Sequence, residues 1–196
     1  MDQPLGMNIG NSLEVIEAIE ILKGNAGGDL LEVALTLGAY MLISSKTVKT
    51  VDEGKDILLE KIKNGSGLDK FRELLIQQGG NPSIIDDYSL LPISNEKLSV
   101  TACCDGYVYS MNTAEIGRAS LETGAGRASK SDKIDFGAGI IMKVRIGDYV
   151  HKGDIIAEIY SSSKDRCLSA SKYLEQAIEI NDKKPENPKL ILDIIK

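Results

Sequence analysis

From Asn11 to Gln78 the apolar residues recur every three or four positions, which is the period of a helix with one face turned inward. Each run opens on a short polar residue three places before a carboxylate: Asn11 with Glu14, Asp29 with Glu32, Thr50 with Glu53, Ser66 with Asp69. That is capping-box spacing, and it predicts four helices. Gly24, Gly65 and Gly79 fall where a left-handed residue would end a helix. The first helix carries Val15, Ile19 and Leu22 on one face and Glu14, Glu17 and Glu20 on another, so it is amphipathic with an acidic edge. The second, over 30–46, reads LLEVALTLGAYMLI and is apolar nearly all round, which predicts burial on more than one side. The third and fourth, containing ILLEKI and FRELLI, have single apolar stripes needed for their own burial. Residues 1–80 therefore read as helices of an incomplete α/β domain whose sheet lies outside them.

The pattern then changes. GGNPSIIDDYSLLPISNE, over 79–96, holds two prolines and several turn formers and reads as a linker centred on 81–96. Beyond it come short β-branched or aromatic runs, Val100–Ala102, Tyr107–Met111, Ile140–Val144 and Ile155–Tyr160, punctuated by Asp-Gly, Gly-Asp and Lys-Gly-Asp turns. Runs this short bury their apolar faces only by packing on one another. They predict two related hairpins forming a small sandwich or half-barrel, joined by the glycine-rich loop LETGAGRASKSDKID. A helix over Ser169–Ile180 follows, stopped before Pro185. The tail PKLILDIIK is expected to add a last strand to this β unit. The fold class is α+β, with a C-terminal α/β unit over 97–196.

Composition narrows the function classes. The chain has 196 residues, 42% hydrophobic and 27% charged, enough for one ordinary or two small domains. No apolar run approaches a bilayer span, and the N-terminal MDQPLGMNIG lacks the basic start and apolar centre of a signal peptide. The expected location is the cytoplasm, with no membrane partner. A net charge of -6 argues against a nucleic-acid partner, whose phosphates would be repelled. Of the three cysteines, Cys103 and Cys104 are adjacent. In a strand they point to opposite faces, so one is expected to be buried and the other exposed and inert, and with Cys167 making an odd count a structural disulfide framework is not expected. There is no C-x-x-C pair, and the single histidine, His151, lies in a turn, so a zinc site is not expected. No partner for His151 as a general base is evident in the sequence.

Other candidates are weak on the residues alone. The loop Gly124-Ala125-Gly126-Arg127 has two glycines and a cation that could cradle an anion, but lacks the third glycine of a dinucleotide fingerprint. Its ordinary reading is a turn. Arg118 and Arg145 read as solvated strand residues. Leu5 lies in the tight segment Gln3-Pro4-Leu5-Gly6, and Glu17 on the following helix. Carbonyl and carboxylate oxygens of this kind suit a hard cation, although a solvated glutamate is the simpler reading.

MDQPLG, GNSLEVIEAIEILKG and LTLGAYML, followed by DGYVYSM, IGRASLETGAGRASKSDKID and GIIMKVRIGDYVHKGD, resemble the pyrimidine-nucleoside phosphorylase and thymidine phosphorylase family along essentially the whole chain. The resemblance implies the C-terminal portion of a two-lobed enzyme, with a β core similar to the biotinyl and lipoyl (barrel-sandwich) carrier fold. It implies a pentosyltransferase: phosphate attacks the anomeric carbon of a pyrimidine nucleoside, releasing uracil or thymine and forming the pentose 1-phosphate. The family's phosphate-binding lysine-and-serine motif, its phosphate loop and its base-gripping residues have no counterpart in these 196 residues, so the chain alone is expected to be inactive. By resemblance, a partial potassium site falls on the carbonyls of Leu5 and Asn8 and the side chain of Glu17. The loop holding Gly124, Gly126 and Arg127 is placed near the cleft of the complete enzyme, which is expected to be a homodimer. Two other readings stand beside it. One is a carrier module modified on Lys130 or Lys133, and the other is a non-catalytic partner that completes a separately encoded N-terminal half.

Overall fold

In the computed structural model, which describes residues 2–127, 129–186 and 188–195, the four N-terminal helices form as expected. A two-residue strand, β1 (Asn8–Ile9), precedes α1 (Asn11–Leu22), and α2 (Asp29–Ser44), α3 (Val51–Lys63) and α4 (Ser66–Gln77) follow. Thr50 and Glu53 make a reciprocal capping box, and Gly24, Gly65 and Gly79 all have positive φ. The other starts differ from the expectation. Gly28 and Gly65 occupy the cap positions of α2 and α4 without a side-chain bond, so Asp29 and Ser66 are the first helical residues. Asn11 likewise begins α1, and the Glu14 carboxylate closes that end by accepting the Gly10 N–H at 3.2 Å.

The chain divides into two compact units, with the boundary inside α1. One comprises the residues up to Val15 with Leu91–Lys189, the other Ile16–Leu90 with the residues from Leu190 onward. In the helical unit α2 and α3 meet along a seam of small residues. A Cβ on Gly54 would stand 2.7 Å from that of Ala39 and 2.8 Å from its Cα, so space fixes that glycine, whereas one on Gly38 would meet only the movable end of Leu58, at 2.6 Å. Burial of α2 on several sides is not found. Its buried residues are Leu35, Thr36 and Ala39, while Leu37 and Met41 are 61% and 72% exposed. α3 covers the small-residue seam and leaves these larger side chains in solvent. The segment taken as a linker is anchored by two 3-10 turns, Pro82–Ile85 and Tyr88–Leu90, with Ile84 and Ile85 buried. The Tyr88 hydroxyl accepts from Lys23 Nζ at 3.0 Å and donates to Glu20.

The second unit contains β2 (Glu96–Thr101), β3 (Gly106–Met111), α5 (Thr113–Thr123), β4 (Gly139–Met142), β5 (Tyr149–Val150), β6 (Ile155–Ser161), α6 (Lys164–Ala177) and β7 (Ile178–Asn181). With β1 they make two open antiparallel sheets, in the orders β1-β4-β6-β2 and β5-β3-β7. The fold is α+β. Val108, Ile116, Ala119, Ile140, Ile159 and Leu174 form the centre of one core shared by both sheets and by α5 and α6.

One of the two expected hairpin pairings forms: β4 pairs with β6, Ile140 lying opposite Ile159. The other does not. β2 pairs with β6, whereas β3 pairs with β5 and β7, because the turn over 102–105 carries the chain from one sheet to the other. Part of the stretch read as a loop is a helix, α5. The Asn112 side chain accepts the Ala114 and Glu115 N–H groups at 3.2 and 3.3 Å, and Gly124 ends the helix in the left-handed region at φ 98°. Arg118 is thus helical, paired with Glu115 at 2.6 Å, and is not a strand residue. Helix α6 begins at Lys164, capped by Ser163, and gives way at Ile178 to β7, whose Ile178 and Ile180 alternate about Glu179 as a strand requires. The tail forms no strand: 191–195 have no regular structure, and Leu192 and Ile195 are 82% and 96% exposed.

Candidate functional site

The glycine-rich segment is held at both ends by named contacts. At its start, buried Thr123 turns its hydroxyl back to the Ser120 carbonyl at 2.7 Å, and its own carbonyl accepts Ser161 Oγ at 2.7 Å. The Gly124 carbonyl accepts the Asp135 N–H at 2.9 Å, which closes the segment into a loop. At its end the Asp135 carboxylate accepts from Ser94 Oγ at 2.8 Å and from the Gly137 N–H at 2.9 Å. A hollow of about 310 Å³ opens beside this loop, lined among others by Glu122, Gly124, Gly126, Asp132, Lys133 and Arg166. Arg127 is exposed, and the cations at the hollow are Arg166, which donates to the Glu122 carbonyl at 3.4 Å, and Lys133. With Glu122 and Asp132 beside them the lining charges balance, so the hollow has no net preference for an anion. Lys130 and Lys133 lie exposed in the irregular segment between α5 and β4, and β3 and β4 belong to different sheets, so neither lysine sits on a tight hairpin.

At the other candidate, Leu5 and Asn8 belong to the sheet-bearing unit, and Glu17 lies half-buried on the part of α1 assigned to the helical unit. Arg145 is not a solvated strand residue. It is half-buried in the loop after β4, where its guanidinium donates to the carbonyls of Pro4, Leu5 (2.7 Å) and Gly6 (3.4 Å). The oxygens of this half-site are of the type a hard cation takes, and a carbonyl keeps a second lone pair after accepting one bond. A cation there would share the Leu5 carbonyl with a guanidinium. Asn8 Nδ2 donates to the Leu13 carbonyl at 2.7 Å, so its side chain fastens the start of α1. The entry into that helix is tight: a Cβ on Gly10, at φ 126°, would lie 2.4 Å from the Ala138 carbonyl oxygen.

Among the described residues no group of three or more His, Cys, Asp or Glu side chains is placed to hold a metal ion, and no helix is long and apolar enough to cross a membrane. His151 Nδ1 lies 3.9 Å from Asp105 Oδ1, beyond a hydrogen bond, with both side chains exposed. The cysteines depart from expectation. Cys103 and Cys104 are both exposed, with sulfurs 3.7 Å apart, because they lie in the turn after β2, where strand alternation no longer holds. Cys167 is buried on α6, and burial pushes its thiol up.

Sequence reasoning did not single out Asp135, Ser94 or Arg166, and read Arg145 as a solvated strand residue, although these four hold the two candidate regions in place. Only Asp135 carried a local signal, standing two residues before a glycine as turn-forming aspartates do. The α+β unit matches a defined domain: residues 107–181 fit the family model of the pyrimidine nucleoside phosphorylase C-terminal domain. The chain is 42% identical over 195 residues to the pyrimidine-nucleoside phosphorylase of Staphylococcus epidermidis, covering 100% of this chain and 45% of that protein. It is 44% identical over 165 residues to that of Bacillus subtilis, covering 84% of this chain and 38% of the relative. The chain belongs to the pyrimidine-nucleoside phosphorylase family, as its C-terminal part. It spans somewhat less than half the length of these curated relatives.

Proposed function

We propose that these residues serve as the C-terminal part of a pyrimidine-nucleoside phosphorylase acting on uridine or thymidine, and that they are inactive alone. The observation that carries this reading is similarity along the whole chain to a phosphorylase of which it covers 45%. In the reaction a phosphate oxygen bonds to the anomeric carbon while the N-glycosidic bond breaks, and the base leaves with the electron pair. Groups that hold phosphate and neutralise the leaving base are therefore required. The hollow beside Gly124 sets Lys133 and Arg166 against Glu122 and Asp132, a balance of charge that supports the proposed inactivity.

On this reading residues 1–80 belong to the α/β lobe of a complete enzyme and 97–196 to its C-terminal domain, a variant of the biotinyl and lipoyl fold in which the two sheets stay open. The complete enzyme is a cytoplasmic homodimer. The Leu5 and Asn8 carbonyls and the Glu17 carboxylate would supply part of a potassium site in the complete enzyme. The loop bearing Gly124, Gly126 and Arg127 lies near the cleft. The test is an assay of the purified chain with uridine or thymidine and phosphate. No base release is expected from the chain alone, and release is expected on co-expression with the N-terminal half of a related phosphorylase. Turnover by the chain alone would overturn the proposed inactivity.

A further inference from the structure

The turn that switches the chain between sheets carries two sulfurs side by side. Cys103 and Cys104 are exposed, and the Cys103 thiol donates to Cys104 Sγ at 3.7 Å. The turn is fastened from the facing loop. Ala102 N–H donates to the Asp154 carbonyl at 2.9 Å, Gly153 N–H to the Ala102 carbonyl at 2.9 Å, and Lys152 N–H to Asp105 Oδ1 at 2.7 Å. A pair held in this way has lost much of the freedom that a ligand would otherwise have to remove.

Three chemistries compete for such a pair. A disulfide between the two is disfavoured. Adjacent Cα atoms across a trans peptide are about 3.8 Å apart, whereas a disulfide spans roughly 4.4–6.8 Å. A zinc ion in a structural site needs four ligands and in a catalytic site three, all deprotonated. Among the described residues no third His, Cys, Asp or Glu side chain joins the pair in a metal-holding group. The Cys104 thiol is also pushed up, chiefly by its hydrogen bond with Cys103 and further by the negative charge of Asp105 nearby, which favours neutral thiols. What remains is a thiophile that takes two sulfurs, accepts them as thiols and brings its own third substituent.

We propose that Cys103 and Cys104 form a bidentate site for a trivalent arsenical bearing one organic group, R–As(OH)2. Two As–S bonds form and two As–O bonds break. Each thiol proton leaves with a hydroxide as water, and arsenic stays in the trivalent state, so no oxidant or reductant is consumed. Closing the second bond within one chain raises affinity about 100-fold or more over single attachment.

The reduced 196-residue chain, freed of reductant, is titrated with phenylarsine oxide and followed by intact mass and by alkylation of the remaining thiols. One phenylarsine per chain is expected, leaving neither of the exposed cysteines to alkylate. A small dithiol should strip the adduct and an equal excess of monothiol should not. Cys103→Ser and Cys104→Ser should each weaken binding about 100-fold, while Cys167→Ser should leave it unchanged. Zinc ion alone should leave both exposed cysteines alkylatable. Full affinity in either single exposed-site variant, loss in Cys167→Ser, or equally ready removal by the monothiol would overturn the proposal.

Discussion

Glu158 shows how one side chain on an interior strand ties a sheet to pH. It stands on β6 with Lys97 at 2.7 Å and Lys143 at 3.0 Å. The hydrogen bond from Lys97, with that from Lys143 and the charges of both, holds its carboxyl below the usual range, against the opposing effect of burial. A depressed carboxylate contributes stability that is present above its unfolded value, about 4.3, and is lost as pH falls through the lower folded value. Glu158→Gln is therefore expected to lower the urea midpoint at pH 7 and to converge with the parent in acid, once the folded carboxyl is itself protonated. Urea titrations at the two pH values check this, and an unchanged gap at both would count against it. Ser12 presents the opposite situation, a fully buried hydroxyl without a hydrogen-bond partner among the described residues. Its replacement by alanine is expected to be neutral or to stabilise by up to about 1 kcal/mol, read as a change in thermal midpoint. Asn112 explains why α5 was misread. The Asn112-x-x-Glu115 spacing matches the cap signals used for the first four helices, but it sits directly behind a strand-like run and ahead of a glycine-rich stretch that reads as a loop. Asn112→Ala should cost about 1 kcal/mol in stability through the two amides it leaves uncapped.

At the scale of elements, the four N-terminal helices were legible because each is specified locally, by period and, for α1, α3 and α4, by a terminal glycine. The pairing of strands was not. Val100–Ala102 and Tyr107–Met111 look like the arms of a hairpin, yet β2 and β3 enter different sheets, since a four-residue turn can reverse a strand or pass it to another layer with the same residues. The face that α2 buries was equally hidden. Its apolar residues run all round, and what selects the buried side is the placement of Gly38, Ala39 and Gly54, which let α2 and α3 approach. Gly54→Val tests that selection. The added side chain meets Ala39 backbone at 2.8 Å as well as its Cβ, so no rotamer relieves the clash. The expected loss is about 1–3 kcal/mol, visible as a lower midpoint. An unaltered midpoint would mean that the seam does not set the helix spacing.

At the scale of the molecule, the candidate site was legible only through resemblance, since its supporting contacts join residues far apart in sequence. Arg145 reaches carbonyls at positions 4–6, and Asp135 reaches Ser94. The proposed enzyme function makes a distinct prediction for the helical unit. Leu37 and Met41, one helical turn apart on α2, are the kind of exposed apolar pair that a missing sheet would cover. Covering them would contribute about 3 kcal/mol together, which corresponds to roughly a 100-fold change in association. Because both are exposed in the chain alone, Leu37→Glu with Met41→Glu should shift its own stability by no more than about 0.5 kcal/mol. The same pair of changes should greatly reduce the phosphorolysis recovered on co-expression with a phosphorylase N-terminal half. Undiminished recovery would remove α2 from the interface with that half. Loss of stability in the isolated chain would instead show that these side chains already pack within it, and the two measurements together separate a docking face from a misplaced core.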